Sequence, residues 1–281
     1  MDWIEKITPR SQTRNLGHSA QPPFRFIILH MEIGSPSLGP LTTKVTSEAG
    51  WARSNPHCPS TQRWADEFER VFGYADSKGQ FAKYFNKLTS TRYNQFDSAL
   101  AELRVAYYMD SSGFPATKWE PIKKDKNEGE YMVVCPSGQE VFVEVKSIGW
   151  ESQLTDSEKN AGRAKQDKHK DLEARSVSTQ KAIQFAIQKA YKKFDPSLPN
   201  LLVIADDLFI PLEHSPALFA QMALYDPGGY FTGNAFENLG GVGIFWVDQS
   251  SEELGYGMKL FTNRHVRPTA VIPETMVKRF Q

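Results

Sequence analysis

Two cysteines in 281 residues, Cys58 and Cys135, are too few for a disulfide framework. Nor do they make a zinc pattern, since His57 beside Cys58 has no second ligand pair nearby. A reducing cytoplasm is the setting this suggests. The chain also lacks an excess of either charge, with 33 Lys plus Arg against 33 Asp plus Glu. That balance excludes a strongly basic nucleic-acid binder. It leaves open a locally positive groove, because phosphate recognition needs only local charge. Long apolar runs are missing: Phe26–Met31 is far short of the roughly 20 residues that span a bilayer. Met1–Gln12 has no signal-peptide apolar stretch, so a soluble protein without a membrane partner is expected. Repeats and low-complexity tracts are absent, and the six histidines show neither HxH nor HExxH spacing.

What is present reads as one large domain, or a core with an added N-terminal piece. Residues 1–60 are rich in Pro, Gly and Ser, apart from one strand-like run, Phe24–Ile33. From Ser60 the period becomes helical. Trp64, Phe68, Val71 and Phe72 form an apolar stripe that Gly73 is placed to end. Phe81, Tyr84, Phe85 and Leu88 predict a helix over Gln80–Leu88. Phe96, Leu100, Leu103 and Tyr107 predict another from about Tyr93 to Met109, stopped by Ser111-Ser-Gly113. Three strands are then expected: Lys118–Ile122, Glu130–Val134 and Glu140–Lys146. After a polar stretch, a helix is expected over Ser178–Phe194, with Ile183, Ile187, Ala190 and Phe194 inward. The continuous apolar run Asn200–Ala205 predicts a central buried strand, and Gly241–Val247 and Tyr256–Phe261 predict a further pair. The order from Tyr93 is helix, three strands, helix, strand, which is an α/β layer arrangement.

Chemistry concentrates in the second and third strands. Alternate residues of a strand share a face, so Glu144 and Lys146 point one way while Val143 and Val145 point into the core. Pro136-Ser-Gly138 suits a three-residue hairpin connection, with Pro136 opening a type I turn and Gly138 taking the left-handed position of a bulge. That turn pairs Cys135 with Gln139 and sets Glu130 opposite Glu144. Cβ atoms of directly opposed residues lie about 5 Å apart, where like charges destabilise the pair. Lys146 supplies part of the required counter-charge, and a hard divalent cation held by Glu130 and Glu144 supplies the rest. Lys146 then serves better to orient an attacking water and stabilise charge on a phosphate than to act as a general base.

These residues resemble the PD-(D/E)XK, or restriction-endonuclease-like, nuclease superfamily. The resemblance rests on Ala101-Glu-Leu103 on a helix, Gly129-Glu-Tyr131 opening a strand and Val143-Glu-Val-Lys146 ending the next. It covers about residues 90–206. It implies a restriction-endonuclease-like core over 91–206, an elaboration with added strands over 207–281, and an extension over 1–90, partly irregular and then helical. It also implies a Mg²⁺-dependent nuclease, with Mn²⁺ as a substitute. Glu102 would be the helix-borne acid, Glu130 and Glu144 the metal ligands and Lys146 the signature lysine. Gln184 or Gln188 would match the glutamine that some branches carry on the following helix. The family's usual aspartate is Glu130 here, preceded by Gly129 and not by proline. Asp125 is the other candidate for that place, but its register would carry it beyond the strand, so Glu130 is preferred.

Lys159, Arg163, Lys165, Lys168, His169, Lys170 and Arg175 follow the signature strand. Interspersed acids make them read equally as a solvated segment or a phosphate-contacting flap. Lys123, Lys124 and Lys126 could extend that surface. Gln180, Gln184 and Gln188 form a polar helix edge, and Asp206-Asp207 reads as a turn cap. The expected substrate is nucleic acid, DNA before RNA, in restriction or anti-phage defence. The competing expectation is a catalytically inactive nuclease-fold subunit that binds nucleic acid or assembles with a partner protein or a second copy of itself.

Overall fold

In the computed structural model the described residues are 35–48, 61–90, 95–121, 129–147, 171–206 and 215–281, with side chains of the 171–191 helix described from Gln180 onward. They fall within one compact unit, Ser35–Gln281. The expected strand Phe24–Ile33 lies outside them.

Among the described residues, seven α-helices and six strands make an α/β fold with a mixed, open sheet. The helices are α1 (Pro40–Glu48), α2 (Gln62–Ser77), α3 (Phe81–Leu88), α4 (Gln95–Ser111), α5 (Asp171–Tyr191), α6 (Ser215–Tyr225) and α7 (Glu274–Phe280). The strands are β1 (Ala116–Trp119), β2 (Tyr131–Val134), β3 (Glu140–Ser147), β4 (Asn200–Asp206), β5 (Gly241–Asp248) and β6 (Gly255–Thr262). They lie side by side in chain order. β1–β2–β3 is an antiparallel meander; β3, β4 and β5 run parallel, and β6 returns antiparallel. The parallel steps need crossovers, which α5 and α6 provide between β3 and β4 and between β4 and β5. No described helix is long and apolar enough to cross a membrane.

Both faces of the sheet are covered. Ala101, Val105 and Met109 of α4 and Met276 and Phe280 of α7 pack with Tyr131, Val133, Val143, Val145 and Val203 on one face. Ile183, Ile187 and Ala190 of α5 and Ala220 and Leu224 of α6 pack with Met132, Phe142, Leu202 and Ile204 on the other. β4 is apolar throughout because both its faces are interior. α2 and α3 share a third core with α4, through Phe68, Phe72, Tyr84, Phe96, Leu100 and Leu103.

Helix ends follow backbone chemistry. Gly73 does not stop α2: the helix continues to Ser77, because Tyr74 and Ala75 still reach apolar neighbours. A lone interior glycine costs only about 1 kcal/mol against alanine. The stop is Gly79, at φ 68°, where Gly79 N donates to Asp76 O at 2.8 Å and Gln80 N to Ala75 O at 2.8 Å. That is a Schellman pair, and Gly113 at φ 90° closes α4 the same way. β1 ends earlier than the Lys118–Ile122 reading, since Glu120 adopts φ 48° and leaves the extended conformation.

Candidate active site

The hairpin turn determines what meets what. Gly138 takes φ 83°, its N–H donates to Cys135 O at 2.8 Å, and Cys135 N donates to Gln139 O at 2.9 Å. The ladder then pairs Val134 with Glu140 and Tyr131 with Val143, so the next position brings Glu130 alongside Glu144. Gly129 makes that approach possible, because a Cβ there would fall 1.9 Å from Phe142 Cζ. On β4, Leu202 and Ile204 are the neighbours of Glu144 and Lys146, so the pair sits toward the carboxyl ends of the parallel strands. Open α/β sheets place ligand sites at such ends.

Glu144 is not on a solvated strand face. Helices cover both sides of β3, and the Glu144 side chain is 0 % exposed. Its Oε1 accepts hydrogen bonds from Lys146 Nζ and, at 2.7 Å, from Lys193 Nζ. Its Oε2 has no partner among the described residues. A buried carboxylate oxygen without a donor is costly, and most such groups in native proteins find one.

Glu130 lies 3.9 Å from Lys193 Nζ through Oε1. Burial pushes its carboxyl up to about 8, helped by the charges of Glu102 and Glu144 and opposed by Lys146 and Lys193. Glu102 reaches in from α4 and pairs with Lys87 Nζ at 3.3 Å, which also holds Glu120 at 3.3 Å; Lys83 pairs with Glu120 too. Lys87 and Lys83 thereby anchor Glu120 in its left-handed backbone. Burial raises the Tyr84 and Tyr131 hydroxyls well above the usual phenol range; Tyr84 is also turned toward the Glu102 carboxylate, while the Tyr131 oxygen has no hydrogen-bond partner among the described residues. Both feel the charges of Glu102 and Glu130.

Glu102, Glu130, Glu144 and Lys146 are thus brought together. The glutamines are not. Gln188 is exposed and donates to Tyr230 Oη at 2.6 Å, and Gln184 forms no hydrogen bond or ion pair with the carboxylates among the described residues. The reason is helical phase: Ile183, Ile187 and Ala190 take the sheet-facing side of α5, which turns Gln188 toward the segment after α6. The chain reaches the carboxylates just past the helix end, through Lys193. The apolar stripe already placed Lys193 there, three residues after Ala190 and next to Phe194, but a lysine on a core-facing stripe was passed over. Lys87, three residues after Tyr84, was missed for the same reason.

Lys123, Lys124, Asp125, Lys126, Lys159, Arg163, Lys165, Lys168, His169 and Lys170 lie outside the described residues, as does the side chain of Arg175. Asp206 closes β4, and Asp207 is likewise outside.

Among the described residues no group of three or more His, Cys, Asp or Glu side chains is arranged to hold a metal ion. The donor chemistry nonetheless suits a hard cation of the Mg²⁺ type, which is bound through one or two carboxylates and keeps several waters. Glu130 and Glu144 offer that pair, and Glu144 Oε2 is unclaimed. Comparison of the chain with protein-family models, curated proteins and solved structures finds no match to any of them.

Proposed function

We propose that this site hydrolyses phosphodiester bonds of nucleic acid, with Glu130 and Glu144 as the residues that would hold Mg²⁺ or Mn²⁺. The observation that carries the reading is the facing pair Glu130–Glu144 with Lys146 on the same strand and Glu144 Oε2 unclaimed. The order α4, β1–β2–β3, α5, β4 supports a restriction-endonuclease-like core. When bound, the divalent ion supplies Lewis-acid polarisation of the phosphate and an acidified water. Lys146 Nζ, held by Glu144 and 28 % exposed at the side chain, meets the phosphate and offsets charge building on its non-bridging oxygens. Glu102, tied to Lys87, fixes the electrostatic field around Glu130 from the helix side. The new P–O bond comes from water, whose proton leaves to solvent, and the ester P–O bond breaks, its alkoxide taking a proton from solvent to leave as the alcohol. The resemblance supports DNA before RNA as the substrate and a defence role, and the scarcity of cysteine supports a cytoplasmic setting.

Lys193 favours a second reading. It already neutralises the carboxylate pair, as expected of a nuclease-fold subunit that binds without cutting. Incubation with plasmid, linear DNA and RNA, in Mg²⁺ or EDTA, separates the two. Metal-dependent cleavage is expected, and Lys146→Ala is expected to slow it by about 10²–10³-fold, the usual effect of losing one charge-stabilising donor. Lys146 is partly exposed, so the melting temperature of the variant should stay near that of the parent. Undiminished cleavage by Lys146→Ala would remove this site as the source of activity, and no cleavage of any substrate would leave the binding subunit.

A further inference from the structure

Lys193 stands where a cation is wanted. It follows the last turn of α5, where Lys193 N donates to Ala190 O at 2.8 Å. From there Nζ reaches Glu144 Oε1 at 2.7 Å and Glu130 Oε1 at 3.9 Å, so a single ammonium spans both carboxylates. Lys146 Nζ binds the same oxygen of Glu144. Two cations therefore crowd Oε1 while Oε2, in a fully buried side chain, has no donor among the described residues. This is a lopsided arrangement. A fully buried carboxylate would ordinarily have both oxygens engaged.

An ammonium and a hydrated divalent ion compete for the same negative charge, yet they differ in reach and in geometry. Lysine brings a point charge on a flexible four-carbon stem, with three donors that rotate. Lys193 is about one third exposed at the side chain, so it can withdraw to solvent without unfolding anything. Lys146 cannot take over its task, since it is fixed on β3 beside Glu144 and is not paired with Glu130.

We infer that Lys193 is a resident counter-ion that holds Glu130 and Glu144 together until a divalent cation displaces it, so that its ion pairs and cation binding are mutually exclusive. This rests on the metal-site reading above and adds a competitor to it. The consequence is a weakened but selective site. A monovalent or poorly matched ion does not dislodge an ammonium already bonded at 2.7 Å, whereas a small divalent ion carries twice its charge.

The test uses the full chain and Mn²⁺ alone, read by titration calorimetry and by water-proton relaxation, with no substrate present. Lys193→Met and Lys193→Gln should each lower the Mn²⁺ midpoint by about tenfold, the scale expected for removing one unit charge a few ångströms from a half-exposed cation. Lys193→Arg keeps the charge and should stay within about twofold of the parent. Lys189→Met removes a charge from the same helix, where Lys189 lies over the Phe185 ring at 4.4 Å, and should leave the midpoint unchanged. If the parent binds Mn²⁺ and both neutral Lys193 variants bind it equally well or more weakly, the displacement is wrong while the metal site stands. If neither the parent nor the variants bind Mn²⁺, both fall together.

Discussion

Two charged clusters among the described residues, one wholly buried and one reaching the surface, are built to opposite plans. On α2 and α4, Arg104 Nε and Nη2 donate to Glu67 Oε1 and Oε2 at 2.8 Å each, and Tyr256 Oη donates to Glu67 Oε1 from β6. Both carboxylate oxygens are engaged, the guanidinium lies near the Trp64 and Phe68 rings, and the Glu67 side chain is fully buried. That cluster is closed. At the ends of β2 and β3, Glu102, Glu120, Glu130 and Glu144 face Lys83, Lys87, Lys146 and Lys193. Their charges match in number, yet among the described residues Glu144 Oε2 and the Tyr131 hydroxyl have no hydrogen-bond partner, and Glu130 is pushed toward its neutral form. Bidentate arginine ties helices together; lysines on long stems leave capacity for something else. The difference supports the proposal that the open cluster is the one that takes a ligand.

Breaking the closed cluster should have the largest effect on stability. Arg104→Met takes the bidentate partner from the buried Glu67, and removing one member of such a pair typically costs about 3–5 kcal/mol. Urea denaturation should report that loss. Cleavage by the molecules that remain folded should match the parent, because Arg104 does not touch the candidate site. A loss below about 1 kcal/mol would mean that the two clusters do not differ in the way described.

The open cluster should instead respond to pH. Glu130 has its carboxyl raised from 4.5 to about 8, first by burial and then by Glu102 and Glu144. Folding therefore favours the protonated form. Its contribution to stability is fully present below about 4.5 and is lost as pH climbs through about 8. In EDTA the melting temperature should fall over that interval, and Glu130→Gln should flatten the fall. A slope that Glu130→Gln leaves unchanged would assign the titration to another group.

The hairpin half of the open cluster was legible in the sequence, and the gaps have physical causes. Pro136 and Gly138 specify a turn, and the turn specifies that Glu130 meets Glu144, because hairpin register has few solutions. Gly113 marked the end of α4, and the unbroken apolar run marked β4 as central. Burial of Glu144 was not legible. Alternation along β3 tells which residues share a face but not whether the second face meets water or another helix layer, and here α5 and α6 cover it. Lys193 escaped because a lysine on a core-facing stripe, just past the last helical turn, reads as an ordinary edge residue. Gln188 misled because four-residue spacing fixes an edge without saying which neighbour that edge meets. The closed cluster was missed altogether. Glu67 and Arg104 belong to different helices, and no short spacing links them.

The most direct test of the central claim is the melting temperature of the parent and of Glu144→Gln, each in EDTA and in excess Mg²⁺ at neutral pH. A cation that binds only the folded form at about 100 times its dissociation constant adds about 2.7 kcal/mol. The account predicts a clear rise for the parent and the loss of most of it in Glu144→Gln, since that substitution removes the carboxylate with the unclaimed oxygen. An equal rise in both proteins, or none in the parent, would contradict it.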